Sequence, residues 1–317
     1  MKSYFASVWK DVKRDKYLYL LILPGLLFFL VFFYRPIWGL QMAFREYTLF
    51  GGMGDWVGFR YFEEFFASPL FFTLIGNTLT IGVATLLINF PLPIILALML
   101  NELRGTRFKK TVQTATYIPY FISMVVVVGM FRSFFALETG VVNLIIDRIF
   151  PGFLAETNGG IFFMNESRWF LPIYLTMHLW QRAGFESIVF IAALSGVDTS
   201  LYEACRVDGG GRLRQLWNVT LPSIMPTIII MFILRIGGLI NVGHEAIILM
   251  YPMAGDMATI PANAEVINTF VWRVGMVARA PQFSYTAAIG LFNSVVAFIL
   301  VMTANSISKR VSDTRLW

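Results

Sequence analysis

The sequence predicts an all-α, polytopic membrane protein with six transmembrane helices. Of its 317 residues, 57% are hydrophobic and 14% charged, where soluble domains carry about 25% charged residues. Six apolar runs reach the roughly 20 residues that a helix needs to cross a hydrocarbon core about 30 Å thick. Lysine and arginine gather in alternate connections, as they do when cations are retained on the cytoplasmic side during insertion. The single cysteine, Cys205, excludes an internal disulfide and a cysteine-based metal cluster. His178 and His244, each in or beside an apolar run, are expected to be interior hydrogen-bonding groups rather than a metal pair.

In residues 1–16, Lys10, Lys13 and Arg14 alternate with Tyr4, Phe5, Val8, Trp9 and Val12, which suits a short amphipathic helix on an anionic inner leaflet. This stretch is too charged to be the apolar part of a cleaved signal. The run after it continues into Arg35, Pro36 and Trp38 without a small-residue cleavage site, so a retained anchor is expected. The first span is expected near 17–40; its Pro24 and Gly25 are tolerated where neighbouring helices satisfy the freed backbone groups. A second span follows near 72–100, with no Asp, Glu, Lys or Arg from Phe65 to Asn101. The basic stretch Gly105–Thr111 leads into a third span at 112–135; it lacks the second glycine of a phosphate-binding loop. Arg182 and Glu186 interrupt a fourth span at 169–195, and Gly237 and Gly238 loosen a fifth at 223–248. The sixth, at 283–305, lies in a stretch without charge from Ala280 to Ser308. Between the spans, residues 48–68, 136–168 and 251–282 are expected to be ordered outer segments, the last with a helix from Ala262 to Val277.

Orientation follows from the cations. Lys2, Lys10, Lys13, Arg14 and Lys16 precede the first span, Arg104, Arg107, Lys109 and Lys110 join the second to the third, Arg206, Arg212 and Arg214 join the fourth to the fifth, and Lys309, Arg310 and Arg315 follow the sixth. The opposite connections hold Arg35, Arg45, Arg60, Arg148, Arg168, Arg273 and Arg279, with Arg132 at a boundary. Both termini and the connection at 196–222 are therefore expected in the cytoplasm. The net charge of +6 needs no nucleic-acid partner to explain it. A cytoplasmic segment 1–16, one transmembrane domain 17–308 and a cytoplasmic tail 309–317 make up the expected organisation.

The connection at 196–222 is a polar, glycine-broken island between apolar spans. Asp198 or Thr199 can cap a new helix, and Gly209, Gly210 and Gly211 can reverse the chain at little steric cost. Pro222, without a backbone donor, suits the start of the fifth helix. A helix there with a face of Leu201, Tyr202 and Cys205 can dock in a partner's groove. Ser200 and Glu203 also fit a capping box, in which Glu203 only satisfies an orphan backbone donor. At membrane depth an ionisable residue costs about 2.5–3.5 kcal/mol on insertion scales and by default marks a polar path or a partner. Arg182, Arg235, Asn241 and Trp180 are the candidate path residues. Arg182 and Glu186 lie one turn apart and can pair, whereas Arg235 has no acidic residue on its preceding turn.

Within Glu203–Pro222, the spacing of Glu203, Ala204, Asp208, Gly209, Val219, Leu221 and Pro222 resembles the cytoplasmic signature loop of the membrane subunits of ABC importers. Cys205 and Val219 depart from the Ala and Ile usual there. Residues Arg14–Tyr47 also resemble the amino-terminal segment of ABC permeases for complex carbohydrates. The resemblance implies a type I importer permease fold in a bacterial plasma membrane, with Glu203, Ala204, Asp208, Gly209, Leu221 and Pro222 coupling it to an ATPase. It further implies an ATPase subunit dimer that binds ATP and Mg, a second permease that is a different homologous chain, and an extracytoplasmic solute-binding protein that delivers oligosaccharides. No cofactor is expected in this chain and no enzymatic activity. Two arginines on the path would suit acidic, uronate-containing oligosaccharides. An ion-coupled secondary carrier is the alternative, although the polar loop has no counterpart between the first three spans. A membrane-embedded enzyme would need a convergent acid, base or metal set, which the scattered histidines do not supply.

Overall fold

A computed structural model of the chain describes residues 14–48, 50–103, 105–157, 159–251 and 260–311. Most of the expected amphipathic segment 1–16 and of the tail 309–317 lies outside them. Four described helices are long and apolar enough to cross a membrane, or up to six if each of two bent pairs counts as one span. The chain divides into two compact units, Met1–Phe66 with Gln282–Leu291, and Ala67–Pro281 with Phe292–Trp317.

In the first unit, α1 (Lys16–Phe44) passes through a π turn at Leu30–Tyr34 just before Pro36. Its most apolar window has no side chain buried inside the chain. A small antiparallel hairpin follows, β1 (Arg45–Thr48) and β2 (Gly52–Trp56), so the molecule is not wholly helical. Gly52 supplies the positive φ of 70° at the turn, and the Gly51 amide donates to Thr48 Oγ1 at 3.0 Å. The hairpin is fastened by stacking of Phe44 on Trp56, 5.6 Å between ring centroids. It is also joined to α2 (Arg60–Ala67) by an ion pair from Arg60 to Glu46 at 3.1 Å. These aromatic and charged pairs hold a ribbon that would be marginal alone.

The second unit is built on α8 (Ser167–Ser195), whose buried residues recur from Phe170 through Tyr174, Met177, Gln181, Gly184, Ser187 and Phe190 to Leu194. That helical spacing turns one face of α8 inward for its whole length. Against it pack α3 (Phe71–Glu102), α4 (Thr106–Phe121) and α10 (Arg212–Gly237). Ala97, Phe190, Leu194 and Ile224 form one apolar cluster, and Ile81, Val127, Phe131, Phe170, Met177 and Ile247 belong to another. Gly184 lets α8 approach α4 so closely that a Cβ there would overlap the Thr116 carbonyl. Between α4 and α8, α5 (Met124–Phe134), α6 (Val141–Ile149) and α7 (Phe153–Glu156) follow in order. Asn143, fully buried, ties the loops around α6 together through hydrogen bonds with Ala136, Leu137 and Ile161.

Two expected spans differ from the structure. The third is broken: α4 and α5 meet at 100°, because Pro119 cannot donate to the helical ladder and Ile122 and Ser123 are extended. The Ile122 carbonyl freed there accepts from Gln181 Nε2 of α8 at 2.9 Å. The fifth span ends at Gly237, not near 248; a turn then leads to the separate α11 (His244–Met250). Its start is also earlier than Pro222, since α10 begins at Arg212 and crosses a π turn at Leu216–Thr220 before that proline. Both this π turn and the one in α1 end two residues before a proline, where the missing N–H and the ring's bulk widen the helix. The outer helix expected at 262–277 is shorter, α12 (Ile267–Trp272) with a π turn at Arg273–Val277. The final helix, α13 (Phe283–Val311), covers the sixth span.

Candidate translocation cavity and coupling loop

A cavity of about 360 Å³ opens between α3, α8 and α10. Three of the four expected path residues, Arg182, Arg235 and Asn241, line it, with Asn89, Tyr174, His178 and Glu186. The early end of α10 makes this wall, because Gly238–Gly243 then runs as a turn across the cavity instead of as helix. Close backbone approach pins that turn on both sides. A Cβ on Gly82 of α3 would overlap the Leu239 carbonyl, and one on Gly243 would stand 3.1 Å from Tyr174 Oη and 3.3 Å from His178 Cε1. Asn293 Nδ2 of α13 donates to Asn241 Oδ1 at 3.0 Å and to Asn268 Oδ1 at 3.2 Å, which fixes the Asn241 carboxamide.

The charges are not arranged as the sequence suggests. Glu186 pairs with Arg235 of α10, not with Arg182 on its own helix. Arg235, expected to lack an acidic neighbour, is thus neutralised by a partner distant in sequence. Arg182 lines the same cavity, and among the described residues no carboxylate forms an ion pair with it. Beside it, His178 Nε2 and Asn89 Oδ1 are buried without hydrogen-bond partners among the described residues, although both residues sit in the cavity wall. Such orphans are uncommon in folded proteins and point to a missing partner.

Trp180 does not belong to this site. On a helix it lies about 200° from His178, and it faces a different hollow with Leu92, Ile95, Met99 and Pro119, near Phe131. His178 is interior as expected, but its Nε2 has no hydrogen-bond partner among the described residues; Asn89 is a cavity group without a sequence signal, since a lone Asn beside Phe90 and Pro91 gives none by itself.

The connection at 196–222 is a capped helix closed by a glycine turn. Helix α9 (Thr199–Val207) leaves α8 at 69°. Asp198 Oδ1 accepts from the Ser200 amide at 2.9 Å and caps α9. This hydrogen bond, with the Ser200 hydroxyl, holds the Asp198 carboxyl below its ordinary value of 3.8. Since Asp198 takes the Ser200 amide, Glu203 does not close a capping box; it is exposed with no partner among the described residues. At the other end, Gly209 N donates to Arg206 O at 3.0 Å and Gly210 N to Cys205 O at 2.8 Å, the paired bonds of a Schellman motif. Only Gly209 among the three glycines has a positive φ, 76°. Gly210 is needed for a different reason: a Cβ there would overlap Cys205.

The face expected to dock is also corrected. Tyr202 and Cys205 turn towards their own chain, Tyr202 Oη standing 3.1 Å from Thr220 Oγ1 and Cys205 lying against Gly210. The outward side carries Leu201, Ala204 and Val207, with Leu213 and Trp217 exposed after the turn. Leu221 is half-buried and Pro222 exposed, directly after the π turn of α10.

Residues 89–312 match the family of binding-protein-dependent transport system inner membrane components. The chain belongs to this family. It is 42% identical to protein LplB of Bacillus subtilis (strain 168) over 96% of its own length and 92% of that protein. To the polygalacturonan/rhamnogalacturonan transport system permease protein YteP of the same organism it is 41% identical, over 98% and 96% of the two chains. Among solved structures it resembles a bacterial ABC transporter involved in the import of the acidic polysaccharide alginate, with a TM-score of 0.85, 40% identity and 96% and 99% of the two chains covered. The same kind of transporter in complex with an alginate pentasaccharide-bound periplasmic protein matches at a TM-score of 0.84, with 40% identity and 97% and 99% coverage. This membership accounts for the cavity and the projecting α9 within one permease fold, and it disfavours the ion-coupled carrier.

Proposed function

We propose that this permease is one membrane subunit of an ATP-driven importer of uronate-containing oligosaccharides. The carrying observation is α9, a short helix joined at its ends to α8 and α10 and holding Glu203 outward without a partner among the described residues. A helix held in this way passes a partner's displacement to α8 and α10 as a rigid body. Exposed Leu201, Val207 and Trp217 supply apolar contact area around the acidic group, the composition of a helix that fits a groove.

The partner on that side is an ATPase pair, which binds ATP and Mg and hydrolyses the nucleotide; this chain binds neither. A second, homologous permease completes the pathway, and an extracytoplasmic binding protein delivers the sugar, as in the alginate transporter complex. Lysine and arginine on the α9 side support a cytoplasmic location for that loop and for both termini. Acidic cargo is supported by two relatives, one a polygalacturonan/rhamnogalacturonan permease and the other an importer of alginate. Reconstitution with the ATPase, second permease and binding protein tests the reading: ATP-dependent accumulation of uronate oligosaccharides is expected. Accumulation that persists without the ATPase would refute it.

A further inference from the structure

Resting on the proposed import of uronates, we infer that Arg182 is the specificity-determining residue that reads the sugar carboxylate, and that Arg235 is not. Both arginines line the cavity, yet their charges differ in availability. The guanidinium of Arg235 is taken by Glu186 across the gap between α10 and α8, so a ligand carboxylate would have to displace a covalently tethered competitor. Arg182, one turn earlier on α8, has no ion-pair partner among the described residues and presents a planar donor set suited to a carboxylate.

The groups beside it complete a site for a polyhydroxylated acid. His178 Nε2 and Asn89 Oδ1 are buried, lack hydrogen-bond partners among the described residues, and border the cavity. Both residues are more than nine-tenths buried, so bulk water does not compensate them. Asn241, its oxygen held by Asn293, keeps its amide hydrogens for a ligand. One available cation with neutral donors and acceptors around it suits one carboxylate among several hydroxyls, the composition of a uronic acid residue. Glu186 and Arg235 form a neutral clasp that positions α8 against α10 at the same depth.

The test uses the complete transporter in proteoliposomes, with an alginate oligosaccharide and its carboxyl-reduced neutral counterpart as probes. The readout is the acid-to-neutral uptake ratio of each variant relative to wild type. The binding protein is common to all, so its own preference cancels. Loss of a charge-assisted hydrogen bond predicts that R182Q lowers the ratio about tenfold or more. R182K, which keeps the charge but loses the planar fork, lowers it less than R182Q does, and E186Q, which releases Arg235 as a second cation, raises it. An unchanged ratio in R182Q overturns the assignment. If R182Q does not assemble, E186Q decides: no rise in its ratio overturns the assignment equally. Wild-type transporter that favours the neutral sugar would instead sink the proposed cargo, which separates the two failures.

Discussion

Arg235 of α10 and Glu186 of α8, 49 positions apart in sequence, form an ion pair that joins the two helices across the cavity. Their side chains retain 31% and 20% of their exposure, so the pair is partly screened. Removing one partner leaves the other charge uncompensated, a cost of about 3–5 kcal/mol for a fully buried pair and less here. R235Q and E186Q are each expected to lower the thermal midpoint of the purified transporter. The double variant should recover part of the loss. A double-mutant cycle reads the coupling, and strict additivity of the two losses would show that the contact does not bear on stability.

Glu203 projects from α9 without a partner among the described residues, so E203A is expected to leave insertion and thermal midpoint unchanged while reducing co-purification of the ATPase and ATP-driven uptake. Normal uptake in E203A would remove the coupling role.

The glycine turn separates two physical demands. G209A places a side chain at a positive φ, which costs roughly 1–2 kcal/mol, and G210A drives a Cβ into Cys205. Gly211 has an ordinary extended backbone and open space around it, so G211A is expected to be nearly neutral. Measured ATPase stimulation and thermal midpoint should fall in the first two and hold in the third; equal behaviour of all three would contradict the turn geometry.

Asp198 makes the α9 cap sensitive to acid. Its carboxyl is held below the ordinary 3.8 by the Ser200 amide first and the Ser200 hydroxyl second. A depressed folded value means that the cap's contribution is present above the unfolded value and is lost as pH falls through the folded one. Protection of the Ser200–Glu203 amides, relative to their intrinsic exchange at each pH, should therefore fall below about pH 4 in the wild type. In D198N, which caps without titrating, that fall should disappear; its persistence would place the titration elsewhere.

Trp180 and Gly184, one turn apart, test the side of α8 that borders the hollow against α4. W180A should leave sugar selection intact, since its ring lies outside the cavity. G184A forces α8 away from the Thr116 carbonyl, and overpacking of this kind costs about 1–3 kcal/mol. Reduced yield of folded G184A with normal selectivity in W180A is the expected pairing. Selectivity lost in W180A would return the indole to the path.

Apolar length and charge asymmetry made the spans legible, and Glu203–Pro222 made the family legible, because both signals are local in sequence. What the sequence hid was set by partners far away. Glu186 and Arg182 satisfy the one-turn spacing of a helical pair, yet α10 brings Arg235 closer to Glu186, and no spacing rule sees across helices. The α4–α5 bend needed Pro119 together with Gln181, which donates to the freed carbonyl of Ile122 59 positions earlier. The early stop of α10 was visible in Gly237 and Gly238, but apolarity resumes after His244 and concealed it. Composition likewise masked the β1–β2 ribbon, whose aromatic residues read equally as helix or strand.

From Leu18 to Phe33, helix α1 presents greasy side chains around its whole circumference, and none of these residues is buried among the described residues. A rod without a preferred side carries no internal instruction for rotation about its long axis. Its azimuth must come from outside, from acyl chains or a neighbouring subunit, so interchange of leucine, isoleucine and phenylalanine along Leu18–Phe33 should leave the rest of this molecule undisturbed while altering which neighbours it accepts.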